Sequence, residues 1–402
     1  MNFLHYNYKL MKVGNLIPLS RNCGFPKKLL FHLLRIVCLA FATWYLLMSI
    51  FYFAYVDRST TEALLKFTNG VVYIGIVIRM VLYYGYDYKT IKIINYVNEH
   101  FKKSSNTGLK EISINNLINA ANFVSLTQTV VSFIAGIVFA FVPVIYRKEP
   151  ISLWYPYDAN SSPYYELSHI YQIICQFIIC YYYNITDAFY ICVVLATAGQ
   201  FQILSWEMEN VCYSALISSG FDAKTIQSFK HHIPNSNEIE NGGDFYEIFD
   251  FMQTQQFRDV LKMKIVQIIE YHKNVLTLCD FLENFLSVGL LLMFLSILGN
   301  SVFIMFGLSV TESLANRSQM VTYFLASAIQ SFLAAFTSDY LLQESRKLQF
   351  SLYSTPWYLC PRETKALFLL VHLNLQRDIG ISLGKFVMFD LGAYSWVENP
   401  RK

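Results

Sequence analysis

Two charged side chains stand inside long apolar runs of this chain, Arg79 and Asp187. An arginine at the centre of a bilayer costs about 2.5–3.5 kcal/mol, so such a residue snorkels, is paired or is functional. Arg79 falls in the inner third of its run and is expected to snorkel to the interface. Asp187 is expected to face the other helices and pair with a hydroxyl or a tyrosine, the alternative role being to set the polarity of a ligand site. Other reactive residue types lack a constellation. The pair His231-His232 has no third ligand at metal spacing, and adjacent histidines on a helix cannot face one ion. The eight cysteines form no CxxC, and neither an HExxH nor a Ser/His arrangement occurs. No catalytic residue, metal or cofactor is therefore expected. No disulfide is expected either, the thiols being small inert hydrophobes. Three Asn-X-Ser/Thr sequons occur. Asn160 and Asn316 are glycosylation candidates, and Asn184 lies within an apolar run and is expected to stay unmodified.

The elements that must carry these residues are membrane-length helices. Of 402 residues, 54% are hydrophobic and only 15% charged, against about 25% charged in soluble domains. A helix rising 1.5 Å per residue needs about 20 residues to cross the roughly 30 Å hydrocarbon core. Six runs meet that need: 36–56, about 67–84, about 126–145, one within 170–195, about 285–310 and about 321–342. Arg35, at the edge of the first, can also snorkel. The first apolar block is too long for a signal-peptide core, so no cleaved leader is expected. Residues 200–273 form the longest polar segment. Asn241-Gly242-Gly243-Asp244 marks a loop there, and a helical period begins only near Phe257.

Basic residues set the orientation. Residues 1–28 carry Lys9, Lys12, Arg21, Lys27 and Lys28 without an acid, and residues 85–122 hold five lysines. The intervening loops hold two, two and one. The positive-inside rule then places the N-terminus in the cytoplasm. Four segments result: a cytoplasmic stretch over 1–35, a six-span bundle over 36–342 with a long inner loop at about 200–284, an inner-face segment over 343–385, and a final apolar segment over 386–402. A net charge of +3 with no basic stripe gives no case for nucleic acid. No internal repeat supports a transporter of inverted halves.

Seven spans with an inner N-terminus reverse the order of a G-protein-coupled receptor. Three stretches carry a more specific likeness: Trp154-Tyr155-Pro156-Tyr157-Asp158; Ile268 to Leu276 leading through Leu282-Glu283-Asn284-Phe285; and Tyr353, Trp357-Tyr358, Leu367 to Leu375, then Ser382-Leu383-Gly384-Lys385-Phe386. In order and spacing the chain resembles the insect odorant receptors. The second inner loop is shorter than in the family's co-receptor, and the Thr-Tyr…Gln-Phe ending of the related gustatory receptors is missing. The resemblance implies an all-α, seven-span ligand-tuning subunit in the plasma membrane of a sensory dendrite. It also implies a tetramer with the co-receptor, gated by a volatile odorant bound in the outer half of the bundle, with inner-face helices holding subunits together.

The outer halves of spans two to four offer Val71, Tyr73, Ile74, Ile137, Phe141, Tyr171, Ile174, Phe177 and Ile178 as candidate ligand contacts. Packing and lipid contact are the competing roles for each. Burying about 300 Å² of a small apolar molecule contributes roughly 7.5 kcal/mol before ordering costs. The resemblance assigns the pore to the last helix, expected over 386–397 with Phe386, Phe389 and Leu391 lining it. At 12 residues, about 18 Å, that helix is unusually short. A non-conducting or truncated membrane receptor subunit, and a gustatory-type ligand-gated channel, are the alternatives.

Overall fold

The computed structural model describes residues 5–19, 23–55, 60–145, 153–158, 161–231, 245–310 and 314–398. These fold almost wholly into helices, with two short hairpins. In chain order they are α1 (His5–Val13), α2 (Phe25–Tyr55), α3 (Thr60–Gly85), α4 (Asp87–His100), β1 (Ser104–Asn106), β2 (Glu111–Ser113), α5 (Asn115–Ile145), α6 (Tyr164–Glu209) and α7 (Val211–Ser218). There follow α8 (Ala223–His231), α9 (Tyr246–Met252), α10 (Gln255–Val310), α11 (Leu314–Ser354), a 3₁₀ turn (Trp357–Leu359), α12 (Arg362–Asn374), β3 (Ser382–Leu383), β4 (Val387–Met388) and α13 (Leu391–Glu398).

Among the described residues, α2, α5, α6 and α10 are long and apolar enough to cross a membrane. In α3 the apolar piece Tyr73–Gly85 is shorter. The helix at the centre is α6, buried almost continuously from Asn184 to Leu204, as suits a helix apolar on every side. It packs chiefly on α11 and α5, while α3 packs on α10. The N-terminal segment returns against α6: Tyr181 donates to the Leu10 carbonyl at 2.9 Å and Tyr182 to that of Gly14 at 2.7 Å. Close approach requires Gly14, where a Cβ would lie 2.9 Å from the Tyr181 ring. Arg35 does not snorkel. It is buried, donates to the Asn15 carbonyl at 2.7 Å and pairs with Asp87 at 2.8 Å.

The expected loop over 200–284 is largely helical. Both α6 and α10 run well past the roughly 30 Å a bilayer needs, at 46 and 56 residues or about 69 and 84 Å. With α7, α8 and α9 they carry the hydrophobic core onward through Phe201, Leu216, Phe229, Met252, Phe257 and Leu261. Polar residues coat its outer faces, which is why the segment reads as a loop. His231 ends α8 exposed; His232 and the Asn241–Asp244 signature lie outside the described residues. The end of α11 joins this core. Thr355 donates to the Met208 carbonyl at 2.9 Å, and the Cys212 and Cys360 sulfurs lie 3.6 Å apart. That is contact rather than a bond of about 2.05 Å. The Cys360 thiol and burial push the Cys212 thiol up, so it stays protonated and inert. Arg346 grips Asp378 with two bonds of 3.0 and 2.6 Å and holds its carboxyl below the ordinary range. Both are half exposed, so the pair contributes little to stability.

The final segment departs most from expectation. There is no single helix from Phe386 to Val397. Residues 382–388 form a hairpin, Ser382 opposite Met388 and Leu383 opposite Val387, turning through Gly384 and Lys385 at φ 59° and 68°. Two positive φ values make this a type I′ turn. Phe386 stands on the turn, 82% exposed, while Phe389 is buried against Phe294. Asp390 then caps α13, accepting from the Ala393 amide at 2.6 Å. Leu391 is the first residue of that eight-residue helix. The three proposed pore residues therefore sit on a turn, in a core contact and at a helix start.

Candidate ligand site

Arg79, on α3, does not reach for the interface. Its Nη1 donates to Asp187 Oδ1 of α6 at 2.8 Å, and both side chains are about nine-tenths buried. The guanidinium also lies 5.0 Å from the Tyr183 ring centroid. Gln330 of α11 completes the cluster: its amide nitrogen donates to Asp187 Oδ2, and its oxygen accepts from the Tyr183 hydroxyl. Three helices are tied together by one carboxylate whose two oxygens are both engaged. Asp187 thus pairs with a cation and an amide rather than with the hydroxyl or tyrosine expected, and the snorkelling expected of Arg79 is replaced by a buried ion pair.

Beside this cluster α3, α5, α6, α10 and α11 leave a cavity of about 50 Å³. Its polar lining includes Arg79, Gln128, Thr186, Asp187 and Gln330; its apolar wall includes Leu290 and Met293. A larger groove of about 570 Å³ lies between the N-terminal turn, α2, α5 and α6. Phe133, Phe177, Ile178 and Tyr181 give it apolar surface, and Ser132 and Asn184 give polar points. These two are themselves bonded at 2.8 Å. Apolar walls with a few fixed polar groups are the pattern of small-molecule sites, which commonly measure about 300–1,000 Å³.

A description of this family's members, the 7tm Odorant receptor model, matches residues 59–399. The chain belongs to the odorant receptor family. Odorant receptor 83a of Drosophila melanogaster is 20% identical over 311 residues, covering 73% of this receptor and 68% of that protein. The solved olfactory receptor OR5 from Machilis hrabei has the same fold, with a TM-score of 0.76 over 99% of this receptor and 96% of that chain at 13% identity. Its complex with eugenol matches with a TM-score of 0.74, again over 99% and 96%, at 12% identity. This is a family of seven-span receptors, not of enzymes.

The sequence-predicted contacts of the receptor are dispersed. Phe177 and Ile178 line the larger groove. Tyr73 is buried, with its hydroxyl 3.0 Å from Gln176 Oε1 and 3.3 Å from the Tyr45 hydroxyl. Tyr171, half-buried, donates to the Phe41 carbonyl at 3.1 Å. Ile74, Ile137 and Ile174 face outward and are exposed. The side chains of Val71 and Phe141 lie outside the described residues, as do Asn160 and the side chain of Asn316. Gln128, Ser132 and Gln330 were missed. A neutral amide or hydroxyl in an apolar run is a weak signal, because a helix can satisfy it through its own backbone.

Tyr73→Phe removes the hydroxyl that joins Tyr45 and Gln176 and leaves Gln176 without that donor. It is expected to cost about 1 kcal/mol, read as a small fall in the unfolding midpoint of the purified receptor. An unchanged midpoint would mean that the Tyr45–Tyr73–Gln176 contact carries no stability.

Proposed function

We propose that this receptor is a ligand-tuning subunit. It binds small, volatile, hydrophobic odorants within its helical bundle and opens a non-selective cation pore together with a co-receptor, as a tetramer in the plasma membrane. The observation that carries the reading is the central cavity, where five helices meet around a buried ion pair. A ligand there would touch five helices at once. OR5 has been solved with eugenol bound, which supports a small aromatic or aliphatic ligand for this relative as well.

The reading assigns residues 343–385 to subunit packing. Phe350, Tyr353, Leu369, Leu370 and Leu373 are exposed there, an apolar surface that a single chain leaves open to water at a cost. It assigns the pore to the segment after the β3–β4 hairpin, and the basic counts support an N-terminus inside. Opening requires differential binding: moving a closed-to-open ratio from 1:99 to 99:1 takes about 5.5 kcal/mol summed over sites.

The test is whole-cell current from cells expressing the receptor with and without the co-receptor, over an odorant panel, with surface tags at both ends. A cation current that needs both subunits and an odorant is expected, with the N-terminal tag inaccessible from outside. Receptor at the surface with no current for any odorant would sink the channel reading.

A further inference from the structure

We infer that the larger groove, between α2 and α5, holds an acyl chain of one anionic phospholipid from the cytoplasmic leaflet, with lysines of α1 on its headgroup. The inference goes beyond the odorant reading and takes from it only the inner N-terminus. Both α2 and α5 pack on α6 but barely on each other, and the groove of about 570 Å³ is the gap between them. Val13, Leu34 and Phe133 line it and are exposed, Phe133 at 59%. Val130, Ile134 and Ile137 continue that exposed apolar surface along α5. On helices long and apolar enough to cross a membrane, such a surface meets acyl chains. The groove therefore opens sideways into lipid rather than into water.

Its depth and chemistry suit an alkyl chain. The turn Val13–Asn15 lines it beside Leu34. Arg35 fixes that end at the membrane boundary, because it holds the Asn15 carbonyl and pairs with Asp87 at the start of α4. On α6 the lining runs from Asn184 back to Phe177, a rise of about 10 Å, most of the roughly 15 Å of hydrocarbon in one leaflet. The hydroxyls and amide that α5 and α6 place there are already engaged. Thr129 donates to the Ser125 carbonyl at 2.8 Å, Ser132 to Asn184 at 2.8 Å and Asn184 to the Cys180 carbonyl at 2.6 Å. Tyr181 and Tyr182 donate to the N-terminal segment. An alkyl chain leaves all these bonds intact and strands no polar group. Charge beside the groove selects the headgroup. Lys12 directly precedes Val13, and Lys9 lies three residues earlier on the same face of α1. Both are exposed and in no ion pair among the described residues, and residues 1–28 contain no acid. A lysine beside an anionic leaflet contributes about a fivefold gain in affinity.

Native mass spectrometry of the purified full-length receptor, stripped of loosely held lipid by detergent, counts what stays bound. It is titrated with phosphatidylserine and with phosphatidylcholine of identical acyl chains. One phosphatidylserine per chain is expected, half-saturating at about a twentyfold lower concentration than phosphatidylcholine. Lys9→Gln with Lys12→Gln, both on the surface, is expected to bring phosphatidylserine to the level of phosphatidylcholine and leave the latter unchanged. Cys38→Phe fills the groove and is expected to weaken both lipids about tenfold. Leu34→Trp, at the exposed rim, serves if that variant does not fold. Equal retention of the two lipids by the native receptor overturns the inference, as does a headgroup preference that survives the lysine changes, or retention that neither groove variant weakens. Displacement of the lipid by eugenol at matching concentration overturns it too, by making the groove an odorant seat. Retention of free oleate in place of either phospholipid does the same. The measurement needs no current and no surface tag, so a retained phosphatidylserine upholds the inference even where the odorant panel gives no current.

Discussion

Arg79→Ala is expected to destabilise the receptor by about 3–5 kcal/mol, the usual cost of leaving one partner of a buried ion pair alone. On the entropies typical of folded chains this corresponds to a fall of about 5 °C in unfolding midpoint. The Asp187 carboxylate is 12% exposed and 2.8 Å from the guanidinium. Without Arg79, only Gln330 remains as the donor identified on it. Asp187→Ala is expected to cost a similar amount, because the guanidinium is then the buried, uncompensated charge. Both single variants should reach the cell surface poorly. The double variant Arg79→Met with Asp187→Leu should regain most of the loss, since similar volume is refilled and no bare charge remains. Unfolding midpoints of the four purified receptors measure the coupling. If Arg79→Ala melts like the native receptor, the pair does not hold α3 to α6, and Asp187 tolerates isolation by taking up a proton. If the double variant is no better than the singles, the cluster acts through packing rather than charge.

The same pair shows what was legible in the sequence. Each charge stood out because it interrupted an apolar run. The partnership did not, since 108 positions separate the two and hydropathy says nothing about which helices are neighbours. Helix ends were misplaced for a related reason. The first span was expected from Ile36, yet α2 begins at Phe25. Hydropathy marks the part of a helix that suits lipid, whereas a helix once nucleated continues through polar residues. The inner extension of α6 and α10 is the larger case. One face carries Phe201, Leu261 and Ile265 into a core, while the other is polar, and average polarity alone resembles a loop. Gln128 and Gln330 were illegible because uncharged amides barely lower the hydropathy of a span. At the C-terminal end, the apolar content of residues 386–397 suggested a helix. The Gly384-Lys385 turn carried the contrary signal, since glycine in a left-handed position is a hairpin mark.

Gly384→Val is expected to unseat the end of the receptor while leaving the bundle intact. Gly384 has φ 59°, a conformation costing other residues roughly 1–2 kcal/mol. A Cβ there would also lie 2.6 Å from Leu291 Cδ2, and overpacking of this kind typically costs about 1–3 kcal/mol. Both penalties fall on a small clamp. The Glu283 carboxylate accepts from the Ser382 amide at 2.9 Å and from the Ser382 hydroxyl; Gly384 donates to the Ser287 carbonyl at 3.0 Å; and Lys385 reaches Asn284 at 2.7 Å. This clamp fixes the hairpin on α10, and the hairpin in turn places Phe389 against Phe294 and starts α13 at Asp390. Tyr394 then touches α11 at the Ala328 carbonyl. A displaced turn should therefore free residues 382–398 together. Amide hydrogen exchange is expected to accelerate across them, with protection in α6 unchanged. Lys385→Gly is the internal control. It relieves the positive φ of Lys385 but gives up the bond to Asn284, so its net effect should be close to zero. Should Gly384→Val exchange like the native receptor, α13 must be held by its own contacts with α11, and the hairpin would be a connector rather than the seat of the last helix.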